Sequence, residues 1–301
     1  MHLETVSNGL GAPSLLLMLM AIRKEIPATV SITADTGWEN DRVWNTGRRS
    51  SSEQYFNEII VPLCKGTHVT PRFVRSVDKF KQPLKPLRER VIEAALNGRA
   101  EDIPLFGSRG GRQRQTCTDK MKIRAIRQEQ RRLGAKTGRS AQGIHFYEAD
   151  RRIKGRFLRM DSQWSEYQTT MTLSRKEADG RRVKYEKDIK WQKHYYPLVD
   201  LKMSRAQVYA AIEKEGIPYI VSSECDLCPH KDYARWERSS PDVIEDGTYI
   251  EGLFKGAYFF TDKRIPLKDA IAEMRAERIA DPKRFAIGDT DFGCGNAICG
   301  V

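Results

Sequence analysis

The first forty residues constrain the fold more than any other stretch. Residues 2–6 read as a short strand and 7–14 as a Gly/Ser turn. Residues 15–24 read as a helix apolar on nearly all sides, and 29–34 as a Val/Ile-rich strand ending at Asp35. Strand, Gly-rich loop, buried helix and strand make one right-handed crossover with the two strands parallel. Strands apolar on both faces need helices packed on either side. The expectation is an α/β fold: a mainly parallel, twisted sheet with helices on both faces.

The rest of the chain extends this plan. Residues 50–60 and 84–97 have helical spacing, with 67–77 a strand between them. A strongly basic helix is expected over 120–133, closed by Gly134, and 143–149 as a strand or loop at the sheet edge. Residues 151–193 are crowded with Lys, Arg and Glu among scattered aromatics, Trp164, Tyr167 and Trp191 included. They show little apolar periodicity, so this stretch is expected to be a basic, partner-facing excursion from the core. Structure resumes at Tyr196-Pro197-Leu198, with a Ser204-capped helix to Lys214 and a strand at 219–221. The division expected is 1–150 as nucleotide-binding core, 151–193 as insertion, and 194–301 as the rest of the core with a cysteine-bearing C-terminal region.

Three constellations carry chemistry. In Ser7-Asn8-Gly9-Leu10-Gly11-Ala12-Pro13-Ser14, glycines let backbone approach a phosphate, the helix N-terminus presents N–H groups, and Ser7 and Ser14 add hydroxyls. The second strand ends in Asp35-Thr36-Gly37-Trp38-Glu39. In open α/β sheets ligands sit beyond the carboxyl strand ends, where Asp35 and Thr36 can meet ribose or Mg²⁺. In Cys225-x-x-Cys228, two thiolates share one tight turn, a geometry suited to a metal or a cluster corner. Cys64, in a Val-Pro-Leu-Cys context, reads as a core residue.

Charge adds a direction. The chain carries 52 Lys and Arg against 40 Asp and Glu, a net charge of +12, which favours polyanions such as nucleotides, DNA or RNA. Between Ser108 and Arg139 there are eleven Lys or Arg against two acids. Of these, Arg109, Arg112 and Lys122 are the candidate phosphate clamp, and the helix face from 127 to 139 is assigned to solvent. The longest apolar run, around residues 15–22, is too short for a bilayer. A cytoplasmic protein without membrane contact is expected.

The loop at 7–14, the Asp35-Thr36-Gly37 strand end, Cys117-Thr118 ahead of Lys122, Tyr196-Pro197-Leu198, Cys225-Asp226-Leu227-Cys228-Pro229 and the terminal Cys299-Gly300-Val301 together form a pattern. In their order and spread they resemble the phosphoadenosine-phosphosulfate (PAPS) reductase-like family. That family belongs to the adenine nucleotide alpha hydrolase superfamily, related to the PP-loop ATP pyrophosphatases, and the likeness is to members carried by phages and mobile elements. The resemblance implies a Rossmann-like fold that binds ATP or a related adenine nucleotide with Mg²⁺, in the service of sulfur transfer or reduction. A nucleic acid would be the acceptor, and a sulfur-donor or electron-donor protein a partner.

By the same resemblance, Ser7, Gly9, Gly11, Ser14, Asp35, Thr36, Gly37 and Arg112 would hold the nucleotide, and Arg109 and Lys122 would act on its phosphates. A [4Fe-4S] cluster would be held by Cys117, Cys225, Cys228 and Cys299, with Cys294 second choice for the fourth position and structural Zn²⁺ the alternative occupant. The sequence departs from the family at two places. Pro13 stands where the PP-loop carries Asp, and the tail reads Gly293-Cys294-Gly295 rather than Glu-Cys-Gly-Leu-His. Two other readings therefore stand beside the first: a sulfonucleotide reductase with Cys294 or Cys299 as nucleophile, and a non-catalytic nucleic-acid-binding protein.

Overall fold

The computed structural model describes residues 1–39, 51–149, 153, 156–160, 163–177, 181–218, 220–221 and 224–282. Cys294 and Cys299 lie outside the described residues.

Seven strands form one sheet in the order β3-β2-β1-β5-β8-β7-β6. They are β1 (His2–Ser7), β2 (Val30–Ala34), β3 (Thr70–Val74), β5 (Thr137–Gln142), β6 (Arg156–Met160), β7 (Ser165–Lys176) and β8 (Arg182–Tyr195), while β4 (Phe106–Gly107) pairs elsewhere with β9 (Tyr258–Phe259). The five from β3 to β8 run parallel, and β7 and β6 are added antiparallel. This is an α/β fold with a mostly parallel sheet, compatible with a Rossmann-like arrangement. Chain order turns back at β1: the chain leaves it for β2 and β3 on one side and returns to β5 on the other. That reversal opens a crevice at the carboxyl ends of β1 and β5.

Helices cover both faces. Helix α1 (Ala12–Ile22) begins at Gly11, carries Pro13 in its first turn and is buried from Leu15 to Ala21. It is apolar all round because it lies between the sheet and two further helices, 52–64 and Arg205–Glu213. Alternation along β1 sends Val6 to this side and Leu3 to the other, where Ile126 of the basic helix Arg124–Arg132 packs. A second apolar cluster joins Trp38 to the helices Leu87–Leu96, Tyr233–Glu237, Pro241–Leu253 and Leu267–Ala280. Among the described residues no helix is long and apolar enough to cross a membrane.

In its described residues the stretch 151–193 supplies β6, β7 and most of β8 to the same sheet, and the paired ends of β7 and β8 extend beyond it. Its strand period is hidden by long charged side chains on exposed positions. Of the two alternatives expected at 143–149 the loop is found, with Phe146–Glu148 a 3₁₀ turn; the strand is Thr137–Gln142, in the sheet interior between β1 and β8 rather than at an edge. Its inward groups are polar and mostly bonded, although the Gln142 side-chain oxygen has no partner among the described residues. Ser140 bonds Ser7 at 2.8 Å, and Gln142 donates to Ser7 at 3.1 Å. Arg139 pairs with Glu4 and Glu166. The strand expected at 219–221 falls partly outside the described residues; Ile220 and Val221 are buried against the α1 cluster.

Candidate functional site

The loop after β1 is held by its own side chain. The Asn8 carboxamide oxygen accepts from the Leu10 N–H at 2.8 Å, and its nitrogen donates to the Ser31 hydroxyl at 3.1 Å. The left-handed residue of the loop is Leu10 (φ 64°) rather than a glycine. The Asn8 turn offsets that strain by satisfying the leucine N–H locally. Beyond the loop, the first-turn N–H groups of Ala12 and Ser14 lack intrahelical acceptors, and Pro13 has no N–H to offer. The serine hydroxyls are engaged elsewhere: Ser7 with Ser140 and Gln142 inside the sheet, Ser14 donating to the Gly11 carbonyl at 3.0 Å. Gly143 brings β5 against this turn, since a Cβ there would stand 2.7 Å from the Ser14 nitrogen.

A hollow of about 320 Å³, counting its open mouth, lies at the carboxyl ends of β1 and β2 between Asn8, Gly9, Leu10, Thr33, Glu39 and Lys122. Thr33 is 2% exposed and its hydroxyl has no hydrogen-bond partner among the described residues. An orphaned hydroxyl on the wall, beside a helix N-terminus, is a ready partner for a polar ligand. Of the residues assigned to the nucleotide, Gly9 lines this hollow, whereas Ser7, Gly11 and Ser14 stand behind it.

Asp35 and Thr36 are placed at the end of β2 as expected, but both are engaged. Asp35 accepts from the Gly37 N–H at 2.7 Å and pairs with Arg75. The Thr36 hydroxyl donates to Glu39 at 3.1 Å. Gly37 has φ 68°, and a Cβ there would lie 2.6 Å from Pro86. Glycine is thus demanded both by the backbone and by the close approach of the helix that follows.

A second hollow, about 450 Å³ with its mouth, adjoins the first. Cys117, Cys225 and Cys228 all line it, with Trp38, Gln115 and Lys122. Three of the four cysteines expected to act together are therefore brought to one place by segments far apart in sequence. Cys225 and Cys228 close a turn in which the Cys228 N–H bonds the Cys225 carbonyl at 3.2 Å, and Cys225 forms a backbone bridge with Glu39. Cys117 leads into the π-helical turn Thr118–Ile123 that carries Lys122. Thiols on one apolar wall are the donor chemistry a thiolate-bound metal needs. Among the described residues, however, no three Cys, His, Asp or Glu side chains converge as a ligating group. Cys64 lies apart in the α1 cluster, where burial pushes its thiol up to about 11, as befits a core residue.

Lys122 lines both hollows. Its ammonium is 2.9 Å from Glu39, and about a tenth of each side chain is exposed. Arg112 lines neither hollow, and instead bonds residues of the wall of the second. It donates to the carbonyls of Pro104 and Pro229 and to His230 Nδ1 at 2.7 Å, with its guanidinium over the Phe106 ring. An arginine can only donate, so His230 accepts at Nδ1 and carries its proton on Nε2, which donates to Gln115 at 2.9 Å. Gln115 in turn donates to Thr118 at 2.9 Å and lies 3.7 Å from the Cys117 sulfur. Arg109 is exposed in the turn after β4 and lines neither hollow.

Compared with protein-family models, with curated proteins and with solved structures, the chain matches none of them.

Sequence reasoning passed over Thr33 and Asn8, and quoted Glu39 without a role. Thr33 reads as an ordinary strand residue; only its burial without a partner marks it.

Proposed function

We propose that the chain is an adenine-nucleotide-binding enzyme that supports sulfur transfer or reduction. The observation that carries this reading is the position of Lys122. This one buried lysine lines both the hollow at the strand ends and the hollow lined by Cys117, Cys225 and Cys228. In this reading the N-terminus of α1, Gly9 and the Thr33 hydroxyl hold the phosphates, and Lys122 neutralises charge that develops on them. Glu39 and Thr36 fix the ammonium, and Arg112, His230 and Gln115 fix the cysteine turn. A [4Fe-4S] cluster, which Cys299 would complete, supplies electrons or a sulfur atom when bound. The nucleotide side stands without it.

Two measurements test the reading. Calorimetric titration with ATP and AMP in the presence of Mg²⁺ is expected to show binding that weakens about five- to tenfold in Thr33→Val, one hydrogen bond being worth about 1 kcal/mol. Absence of any adenine nucleotide binding overturns the proposal. An anaerobic absorbance spectrum with iron and zinc analysis decides the occupant: a colourless protein with one zinc replaces the cluster by a structural metal. Pyrophosphate release with AMP formation from ATP would mark pyrophosphatase-type chemistry despite Pro13.

A further inference from the structure

Strands β7 and β8 are far longer than the sheet that holds them. β8 pairs with β5 only from Gln192 to Tyr195, and β6 covers β7 only from Ser165 to Gln168. Among the described residues, the remaining ladder, from Thr170↔Asp188 to Lys176↔Arg182, has two strands and no third. At ~3.4 Å per residue this arm is roughly 24 Å long. A two-stranded ribbon alone in water is at best marginally stable, so such an arm gains from a surface to lie on.

One face of the arm has the composition of a contact surface. Residues directly opposite in the register share a face. That puts Met171 with Lys187, Leu173 with Tyr185, and Arg175 with Val183 on the same side. Met171, Val183 and Tyr185 are each about 40% exposed, and the Arg175 guanidinium lies 5.7 Å from the Tyr185 ring. Charge selects the partner. The arm, residues 170–188, carries six Lys or Arg against four Asp or Glu, and it extends a stretch, 151–193, with thirteen against six; one of those six acids, Glu166, is buried among Arg139, Arg159 and Lys193.

We infer that this arm is a DNA-docking element that lays its Met171–Tyr185 face into the major groove of a duplex. The groove, about 12 Å wide, admits a two-stranded ribbon. Lys187, and Arg175 on exchanging its 2.8 Å bond to Glu177, then stand on the docking face as phosphate partners, and the apolar side chains meet base edges and thymine methyl groups. The deep, narrow major groove of A-form RNA refuses the same ribbon. This goes beyond the nucleotide reading and is independent of it.

The test uses the full chain and a fluorescein-labelled DNA duplex of about 20 base pairs, followed by anisotropy across a salt series. Wild type is expected to bind the duplex more tightly than the same sequence as RNA duplex or as single strand. Arg175→Ala with Lys187→Ala should weaken binding at least tenfold and flatten the salt dependence by nearly two phosphate equivalents. Should that variant melt early, the single exposed substitution Lys187→Glu tests the same contact. ATP binding is expected to be unchanged in each, so failure here and failure of the nucleotide reading are distinguishable. No duplex binding by wild type, unchanged binding by the variants, or preference for RNA or single strand overturns the inference. So does a wild-type dimer that the arm variants convert to monomer, which would make a second copy the occupant.

Discussion

Lys122 and Glu39 meet in a place from which water is largely excluded, so each depends on the other. Removing one charge from such a pair leaves its partner desolvated and uncompensated, at a typical cost of about 3–5 kcal/mol. Lys122→Met is expected to lower the urea midpoint accordingly, although the Thr36 hydroxyl still donates to Glu39. Adding Glu39→Gln should restore much of that loss while leaving nucleotide affinity low. If the double variant is as unstable as the single one, the charge on Glu39 is not the cause. Gly37 makes a different demand. Its φ of 68° and the 2.6 Å approach to Pro86 cannot both accommodate a side chain. Gly37→Ala should destabilise by about 1–3 kcal/mol. At Gly66, where a methyl group would meet no atom within 4 Å, only the φ cost remains. Equal losses at the two sites would show that the Pro86 contact is unimportant.

Among the elements, the π-helical turn behind Cys117 is anchored by one buried carboxylate. The Asp102 carboxylate accepts from Arg90 at 2.7 Å, Lys120 at 2.6 Å and the Thr116 hydroxyl at 2.9 Å, and its main-chain carbonyl takes the Thr116 and Cys117 N–H groups. Burial favours the neutral acid, but the hydrogen bonds from Lys120, Thr116 and Arg90 outweigh it and hold Asp102 below its ordinary value. A depressed carboxylate stabilises the fold above its unfolded pKa and loses that contribution as pH falls through the folded one. Wild type should therefore lose stability below about pH 4, and Asp102→Asn, which keeps the left-handed backbone at φ 68°, should show a shallower acid slope. Superimposable slopes would remove Asp102 from the account. The same scale shows what the sequence could reveal. The β1–α1–β2 unit was readable because Val6, Leu15–Ala21 and Ile32 are apolar and buried, and the cysteine spacing foretold that Cys225 and Cys228 share a turn. The strand Thr137–Gln142 was not readable, because its inward Ser140 hydroxyl and the Gln142 side-chain nitrogen bond Ser7, a partner some 135 positions away. The strands of 156–195 were masked in the same way, by cations on exposed positions and by a buried Glu166 whose partners come from three strands. Hydropathy reports what a side chain is, and these elements depend on what it meets.

On the scale of the whole molecule, the helical cluster that backs the cysteine hollow contains a carboxylate with the opposite pH response. Glu251, 5% exposed on the helix Pro241–Leu253, accepts the N–H groups of Phe260 at 2.7 Å and Leu267 at 2.5 Å. It thereby pins the 260–267 connection to the last described helix. Burial pushes this carboxyl up to about 7, and the two backbone N–H groups offset only part of the shift. Its folded pKa lies above the unfolded value of about 4.3, so the native state binds the extra proton between these limits. Stability then falls as pH rises from about 4.5 to 7, by about 3 kcal/mol for a shift of that size. Asp102 works below this window and in the other sense, so the two together place greatest stability in mildly acidic solution. Urea unfolding at pH 5, 6, 7 and 8 reads the slope, and Glu251→Gln provides the comparison. The amide keeps the shape but turns a donor toward one backbone N–H, which should cost about 1–3 kcal/mol at pH 5. It does not titrate, so the gap to wild type should narrow steadily toward pH 8. A gap that stays constant across the series would mean that Glu251 keeps one protonation state throughout, and the pH response would have to come from another group.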